Sequence, residues 1–351
     1  AQHRSREKTW LHSQGIPTAP FVIVRSEADL VSAMTKPGID GQGILKTASW
    51  GYDGKGQIRV RSTDALGVAW KSLNTDDAVL DGKEQIRVIA RDPDRLSPEV
   101  RQRVEVVHGS HRDHEILMKA FAGADAVFWL VPPDPRATDV REHVLEPTRS
   151  ACEAIVAHGV RRVVSVSTLG RGIEENAGQL SAARAGEHLL AQTGADFRTL
   201  RPAGFMENLL WQLDAIRNQG TLFWPHPADR TIALVATRDI AAKAAELLLD
   251  DTWTGSGEVP LVSPDALTPD DMVKILSEVL ERPVRFQEIS VEAYRETMLR
   301  HGASEAWARG LADMAAAQNN GVYDEEHRTA RPGPTGFRQW CEEVLRPAFL
   351  A

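Results

Sequence analysis

The feature that most limits what this chain can fold into is a regular alternation of short β-rich runs and helical stretches from Ile86 onward. Ile86-Arg87-Val88-Ile89-Ala90, Val104-Glu105-Val106-Val107 and Ala126-Val127-Phe128-Trp129-Leu130-Val131 read as strands. So do Arg162-Val163-Val164-Ser165-Val166-Ser167 and Phe197-Arg198-Thr199-Leu200, with helical stretches over 139–158 and 180–193 before them. Strands joined by whole helices predict a parallel sheet, because a tight turn cannot return the chain to the same end, and the crossovers are right-handed. The run 126–131 is nearly all apolar, the pattern of a strand covered on both faces. Beyond Asn208 the pattern is more irregular, with helices expected over 239–250 and 269–281.

The first part of the chain follows a different pattern. A helical stretch, Glu7-Lys8-Thr9-Trp10-Leu11, is stopped by Gly15, and Pro17 and Pro20 then hold the backbone extended. Phe21-Val22-Ile23-Val24 reads as a strand, and Ser26 caps a helix beginning Glu27-Ala28-Asp29. Gly43-Ile44-Leu45-Lys46-Thr47 and Gln57-Ile58-Arg59-Val60 read as two strands joined by the loop Gly51-Tyr52-Asp53-Gly54-Lys55-Gly56. A helix from about Thr63 to Leu73 and a polar stretch, Asn74-Thr75-Asp76-Asp77, follow. The change of pattern near Asp81-Gly82-Lys83 divides the chain into 1–84 and 85–351.

Bulk properties narrow the function class. A formal charge of −8 opposes broad binding to nucleic acid, where affinity comes mainly from neutralising phosphates. No apolar run approaches the ~18 residues of a membrane span, and Ala1-Gln2-His3-Arg4 is followed by no apolar signal core. Two cysteines, Cys152 and Cys341, make no disulfide framework; reduced thiols in a cytoplasmic protein are the expectation.

Three N-terminal segments carry a resemblance. Gly15-Ile16-Pro17-Thr18-Ala19-Pro20-Phe21, Ile44-Leu45-Lys46-Thr47 and Gly51-Tyr52-Asp53-Gly54-Lys55-Gly56-Gln57 resemble, in order and spacing, part of the ATP-grasp core of carboxyaminoimidazole ribonucleotide synthase. Glycine backbone N–H groups can close around phosphate oxygens, and Lys46 or Lys55 adds charge, so Lys46, Gly51, Gly54, Lys55 and Gly56 form a candidate ATP-like loop. The plain alternative is a hairpin connection. The later carboxylates that hold magnesium in that family have no counterpart before the change of pattern. ATP binding without ligase turnover is therefore the most this segment is expected to do.

Five later segments resemble the NmrA-like branch of the short-chain dehydrogenase superfamily. They are Val88-Ile89-Ala90-Arg91-Asp92-Pro93, the stretch 125–133, the stretch 162–170, Leu200-Arg201-Pro202-Ala203-Gly204-Phe205-Met206-Glu207-Asn208, and Thr237-Arg238-Asp239-Ile240-Ala241. The resemblance implies a Rossmann-like α/β domain entered at its second strand, preceded by an α+β ATP-grasp-like fragment. It also implies NADP as cofactor and a small, quinone-like or azo-type substrate. Arg91, with Arg95 assisting, follows the strand where dinucleotide folds discriminate NAD from NADP, and an Arg there suits the 2′-phosphate. Leu130, Val131, Pro132 and Ser167 end strands where cofactors bind, and Thr168, Phe205 and Asn208 are candidates for the substrate side. Each has an ordinary alternative: a solvated Arg, a capping hydroxyl, or a core Phe.

Two departures weaken the expected chemistry. The superfamily's proton-donating Tyr and the Lys four residues on fall, by spacing from Glu187 and Gly194, at Gln179 and Ala183. Arg184 is near the Lys position and can reach a ribose, but it cannot perform that proton chemistry. No Gly-x-x-Gly-x-x-Gly turn precedes Ile86 to seat a pyrophosphate. Either strand 43–47 and helix 63–73 fill the vacant first position, or the N-terminal segment folds by itself. The second is expected, because Gln57 to Val60 reads as the return strand of a hairpin. His108, His111 and His114 lack a Cys or paired carboxylate to complete a metal site, so surface histidines are expected. The readings that survive are an NADPH-dependent oxidoreductase, a non-catalytic dinucleotide sensor or interaction protein, and an ATP-binding N-terminal fragment.

Overall fold

The computed structural model describes Thr9 and residues 20–37, 39, 43–47, 57–60, 66–73, 78–82, 86–173, 175–250 and 252–351. Two compact units are present. The first comprises Ala1–Val88, Asp92–Val106 and Leu249–Thr252, and the second Ile89–Arg91, Val107–Leu248 and Trp253–Ala351.

The first unit contains strands β1 (Phe21–Val24), β2 (Gly43–Thr47), β3 (Gln57–Val60) and β4 (Ala78–Gly82) in the order β1-β4-β2-β3. Each pairing is antiparallel. Helices α1 (Glu27–Ala33) and α2 (Leu66–Leu73) accompany this sheet. Ser26 caps α1 by accepting from Asp29 N. Leu30, Leu45, Val60 and Leu66 are buried in one cluster with Val24 and Met34. Strand 43–47 is thus committed to its own sheet and does not fill the first position of the dinucleotide fold. β4 was not evident from sequence: only Ala78, Val79 and Leu80 are apolar, yet it is the strand that joins β1 to β2. The glycine-rich loop, with Gly51, Gly54, Lys55 and Gly56, lies outside the described residues. Lys46 is in β2.

Strands β5 (Ile86–Ala90) and β6 (Val104–His108) pair with each other, and the boundary between the two units runs through both. In the second unit β7 (Ala126–Trp129), β8 (Arg162–Val166), β9 (Asp196–Pro202) and β13 (Ser256–Leu261) form a wholly parallel sheet in the order β13-β9-β8-β7. Smaller parallel pairs join β10 (Gly204–Phe205) to β12 (Leu234–Val235) and β11 (Thr221–Trp224) to β14 (Arg285–Glu288). The helices that matter below are α3 (His114–Phe121), α4 (Val140–His158), α5 (Gln179–Ala191), α6 (Thr237–Leu249), α7 (Pro269–Val279), α8 (Glu305–Asn319) and α9 (Asp324–Thr329).

The parallel sheet matches the doubly wound order 3-2-1-4-5-6, with β7, β8 and β9 in the last three places. Among the described residues no strand pairs with the other edge of β7. The sequence expectation is corrected here: the run 126–131 was expected to be covered on both faces, but Phe128 is 43% and Leu130 46% exposed, so one face of this run is open among the described residues. Val127 and Trp129 point the other way, into a core shared with Leu117, Phe121, Ala151, Ile155 and Phe197.

Helix α4 begins where Asp139 accepts from Glu142 N and ends at Gly159, whose φ of 61° is the left-handed conformation that suits glycine. Among the described residues no helix is long and apolar enough to cross a membrane.

Candidate functional site

The carboxyl ends of parallel strands are where a doubly wound sheet receives ligands. In the second unit Arg91 follows β5 and is exposed. His108 Nε2 donates to the Arg91 carbonyl at 3.1 Å, so the backbone carrying that guanidinium is fixed. Arg95, in contrast, falls in the first unit, on a single 3₁₀ turn, with its guanidinium 3.8 Å from Asp92 and mostly exposed.

At the end of β7, Leu130 and Pro132 are exposed and Val131 is half-buried. His143, on the first turn of α4, donates from Nε2 to the Pro132 carbonyl at 2.9 Å. Its Nδ1 and its carbonyl each lie 3.3 Å from Arg112 Nη1. Arg112 also pairs with Glu146. His111 packs edge-on against Trp129, ring centroids 6.2 Å apart. Its Nε2 is buried with no hydrogen-bond partner. Burial, the guanidiniums of Arg112 and Arg91, and His143 together hold the His111 imidazole below the usual histidine range. The three sequence-flagged histidines thus do different work: His108 fixes Arg91, His111 caps a tryptophan, and His114 opens α3 and faces Glu153 at 3.4 Å.

The end of β8 is held more tightly. Ser167 N donates to Leu200 O at 2.8 Å and Leu169 N to Pro202 O at 3.2 Å, so the backbone on both sides of Thr168 is tied to β9. Ser167 and Thr168 are both buried. The Thr168 hydroxyl lies 2.8 Å from the Tyr323 phenol. Beyond it, Gly170 N and Arg171 N both donate to Glu326 Oε2, at 2.6 and 2.8 Å. Gly170 has φ +107°, and a Cβ there would sit 3.2 Å from Val322.

Behind this loop lies a buried set of charges. Arg201, 1% exposed, meets Glu187 at 2.7 Å, Glu258 at 2.5 Å and Glu326 at 3.5 Å. Arg184 grips both oxygens of Glu187 at 2.9 Å. Burial pushes the Glu187 carboxyl above its ordinary value despite these cations. Arg184, a sequence candidate for ribose contact, therefore has one terminal nitrogen committed to Glu187, while its Nε is buried without a hydrogen-bond partner.

Gln179 stands at the first turn of α5, where the superfamily's Tyr was sought, and its Nε2 is buried without a partner. Its neighbour Gly178 is pressed against α8: a Cβ there would lie 1.9 Å from Gly310 O. Phe205 is half-buried in the core around Leu200 and Val235, and Asn208 is exposed on the turn that follows. A cavity of about 510 Å³ opens beside the β8–α5 loop, with Arg171, Ile173, Ala177, Ala317, Val322 and Glu326 in its wall. Tyr323, Glu326 and Arg201 were missed by sequence reasoning. Tyr323 lies 155 residues from Thr168, and no local pattern connects them.

Two family descriptions match the chain: NAD(P)H-binding over residues 73–251, and ATP-grasp domain over residues 9–87. The chain is 33% identical over 272 residues to (4-alkanoyl-5-oxo-2,5-dihydrofuran-3-yl)methyl phosphate reductase of Streptomyces griseus subsp. griseus, covering 74% of this chain and 89% of that one. It is 25% identical over 239 residues to NAD(P)H azoreductase of Xenophilus azovorans, covering 67% and 79%. Over 96 residues it is 40% identical to N5-carboxyaminoimidazole ribonucleotide synthase of Brucella melitensis biotype 1, spanning 26% of each. NADPH-dependent quinone oxidoreductase QOR2 of Escherichia coli, solved with NADPH, shares the fold with a TM-score of 0.60 at 21% identity, covering 75% of this chain and 91% of that one.

Proposed function

The chain belongs to the NAD(P)H-binding family, and from that premise we propose that it is an NADPH-dependent oxidoreductase acting on a small quinone-like or azo-type acceptor. The observation that carries this reading is the group of Arg91, Arg112, His111 and His143 around the carboxyl end of β7, the place where such sheets receive ligands. The residues around the end of β7 fit an anionic cofactor, except that no Gly-x-x-Gly-x-x-Gly turn precedes Ile86 to seat a pyrophosphate. Arg91, Arg112, His111 and His143 cluster at one end of the crevice, and the His111 and Gln179 side chains each hold a buried nitrogen without a partner.

When bound, NADPH supplies a hydride, that is, two electrons and a proton as one unit. The chain's own groups bind and orient. Arg91 would hold the 2′-phosphate, and Leu130, Val131, Pro132 and Ser167 would form the wall along β7 and β8. Arg184, whose Nε is buried without a partner, would be the candidate for the ribose, and Thr168, Phe205 and Asn208 would stand on the acceptor side. Hydride transfer to a quinone or azo group needs little acid–base help, which suits a chain with Gln179 and Ala183 where a Tyr and Lys would stand. The test is NADPH binding by fluorescence followed by quinone-dependent loss of absorbance at the reduced nicotinamide band. Binding and oxidation together are expected; absence of both refutes the reading.

A second reading is a dinucleotide sensor without turnover. Gln179 and Ala183 favour it, since neither can donate and relay a proton. Binding without oxidation of any quinone or azo dye selects it. The N-terminal fragment, which spans about a quarter of its carboxyaminoimidazole ribonucleotide synthase relative, is proposed to bind ATP without ligation. A rise in melting temperature with ATP tests that.

A further inference from the structure

The chain has three tyrosines, Tyr52, Tyr294 and Tyr323. One of them places its phenol oxygen 2.8 Å from the Thr168 hydroxyl, at the carboxyl end of β8. The helix that carries the proton-donating tyrosine in the wider superfamily has Gln179 instead, with the neighbouring Gly178 pressed onto α8. A phenol therefore arrives at the same strand end from a part of the chain 155 residues later.

We infer that Tyr323 is a positioning residue for hydride transfer, holding the Thr168 hydroxyl so that its proton points into the crevice toward the acceptor atom that gains charge. This rests on the oxidoreductase reading above. The backbone around Thr168 is already fixed by the bonds from Ser167 N and Leu169 N to β9, so only the side-chain rotamer is left to set. Tyr323 sets it. The phenol is 8% exposed and Thr168 likewise, so the bond is sheltered from competing water. The segment carrying Tyr323 is itself anchored three residues on, where Glu326 receives Gly170 N and Arg171 N. The 2.8 Å contact admits either hydroxyl as donor, and the proposed arrangement has Tyr323 donating to Thr168 Oγ1. In that arrangement the Thr168 proton is left to offer to the acceptor.

The step balances simply. A C–H bond of the dihydronicotinamide breaks with its electron pair, and a new C–H or N–H bond forms on the acceptor. The cofactor is oxidised and the acceptor reduced. The electron pair displaced within the acceptor collects on its oxygen or second nitrogen, where Thr168 donates a hydrogen bond. The proton that completes reduction comes from water, so neither hydroxyl is consumed.

The experiment compares the full-length chain with Tyr323→Phe, Thr168→Val and Thr168→Ser. It measures kcat and KM with a soluble benzoquinone, NADPH affinity by fluorescence, and melting temperature without nucleotide. Tyr323→Phe and Thr168→Val are expected to lower kcat about tenfold or more, the scale of losing one donor at a developing charge, and the double variant to be no worse than Thr168→Val. NADPH affinity should stay within about twofold, and Thr168→Ser should recover most of the rate. A Tyr323→Phe variant with wild-type kcat overturns this inference and leaves the oxidoreductase reading standing. A parallel fall in melting temperature and NADPH affinity, unrescued by Thr168→Ser, also overturns it, since that is a purely structural role. A wild-type protein that binds NADPH but oxidises it with no quinone overturns both.

Discussion

Arg201 and Glu187 form a fully buried ion pair, Nη2 to Oε1 at 2.7 Å, that joins β9 to α5 beneath the candidate site. Arg201 also faces Glu258 and Glu326, so one guanidinium balances carboxylates from three separate parts of the chain. Replacing it removes the cation these carboxylates share, leaving Arg184 on Glu187 and Arg171 on Glu258. Arg201→Met is expected to cost roughly 3–5 kcal/mol in urea unfolding, the usual penalty for breaking a buried pair from one side. An unchanged midpoint would mean that these carboxylates take up protons at no net cost.

The second prediction concerns pH. His111 is held below the ordinary value of 6.5, first by burial and then by Arg112, Arg91 and His143. The unfolded chain therefore binds this proton more readily than the folded one. Stability from His111 is complete above the unfolded value and is lost as the pH falls below it. Melting temperature should decline between pH 7 and 5, and His111→Asn should flatten that slope. Equal slopes in both proteins would refute the assignment.

Gly178 offers a third test. Its φ is 53°, and a Cβ would come within 1.9 Å of the Gly310 carbonyl oxygen, a backbone atom that cannot swing away. Gly178→Ala should cost about 3 kcal/mol from overpacking and strain. A thermal melt would detect this as a fall of several degrees, whereas Gly172→Ala, with open space around its Cβ, should cost only its backbone strain.

The fourth bears on cofactor choice. If Arg91 receives the 2′-phosphate, Arg91→Ala should weaken NADPH about 10- to 100-fold, the worth of one charge-assisted hydrogen bond, and leave NADH unchanged. Equal loss for both nucleotides would show that Arg91 contributes only general positive charge.

Much of the scaffold was readable from the order of residues. Strands β5 to β9 and helices α4 to α7 follow from apolar runs and helical spacing, because in a parallel sheet each element's identity is written locally. β4 escaped, since five residues with two polar ones at the end carry too little pattern. The exposure of Phe128 escaped too: an apolar run looks the same whether both of its faces are covered or one is open. Arg91, Ser167 and Thr168 were legible as strand-end residues, and they do follow the ends of β5 and β8. Tyr323 and Glu326 could not, because their partners lie about 155 residues away. Arg201 was invisible for another reason. Arginine is normally at the surface, and only its three carboxylate partners explain its burial.

The two bonds from Gly170 N and Arg171 N to Glu326 also set a timetable for the nascent chain. A ribosome adding about 5–20 residues per second takes roughly 8 to 30 s to travel from the first pair to its acceptor. Through that interval the turn after β8 must satisfy its amides with water. The turn after β8 therefore reaches its final geometry only once residue 326 has been made, well after the turn itself.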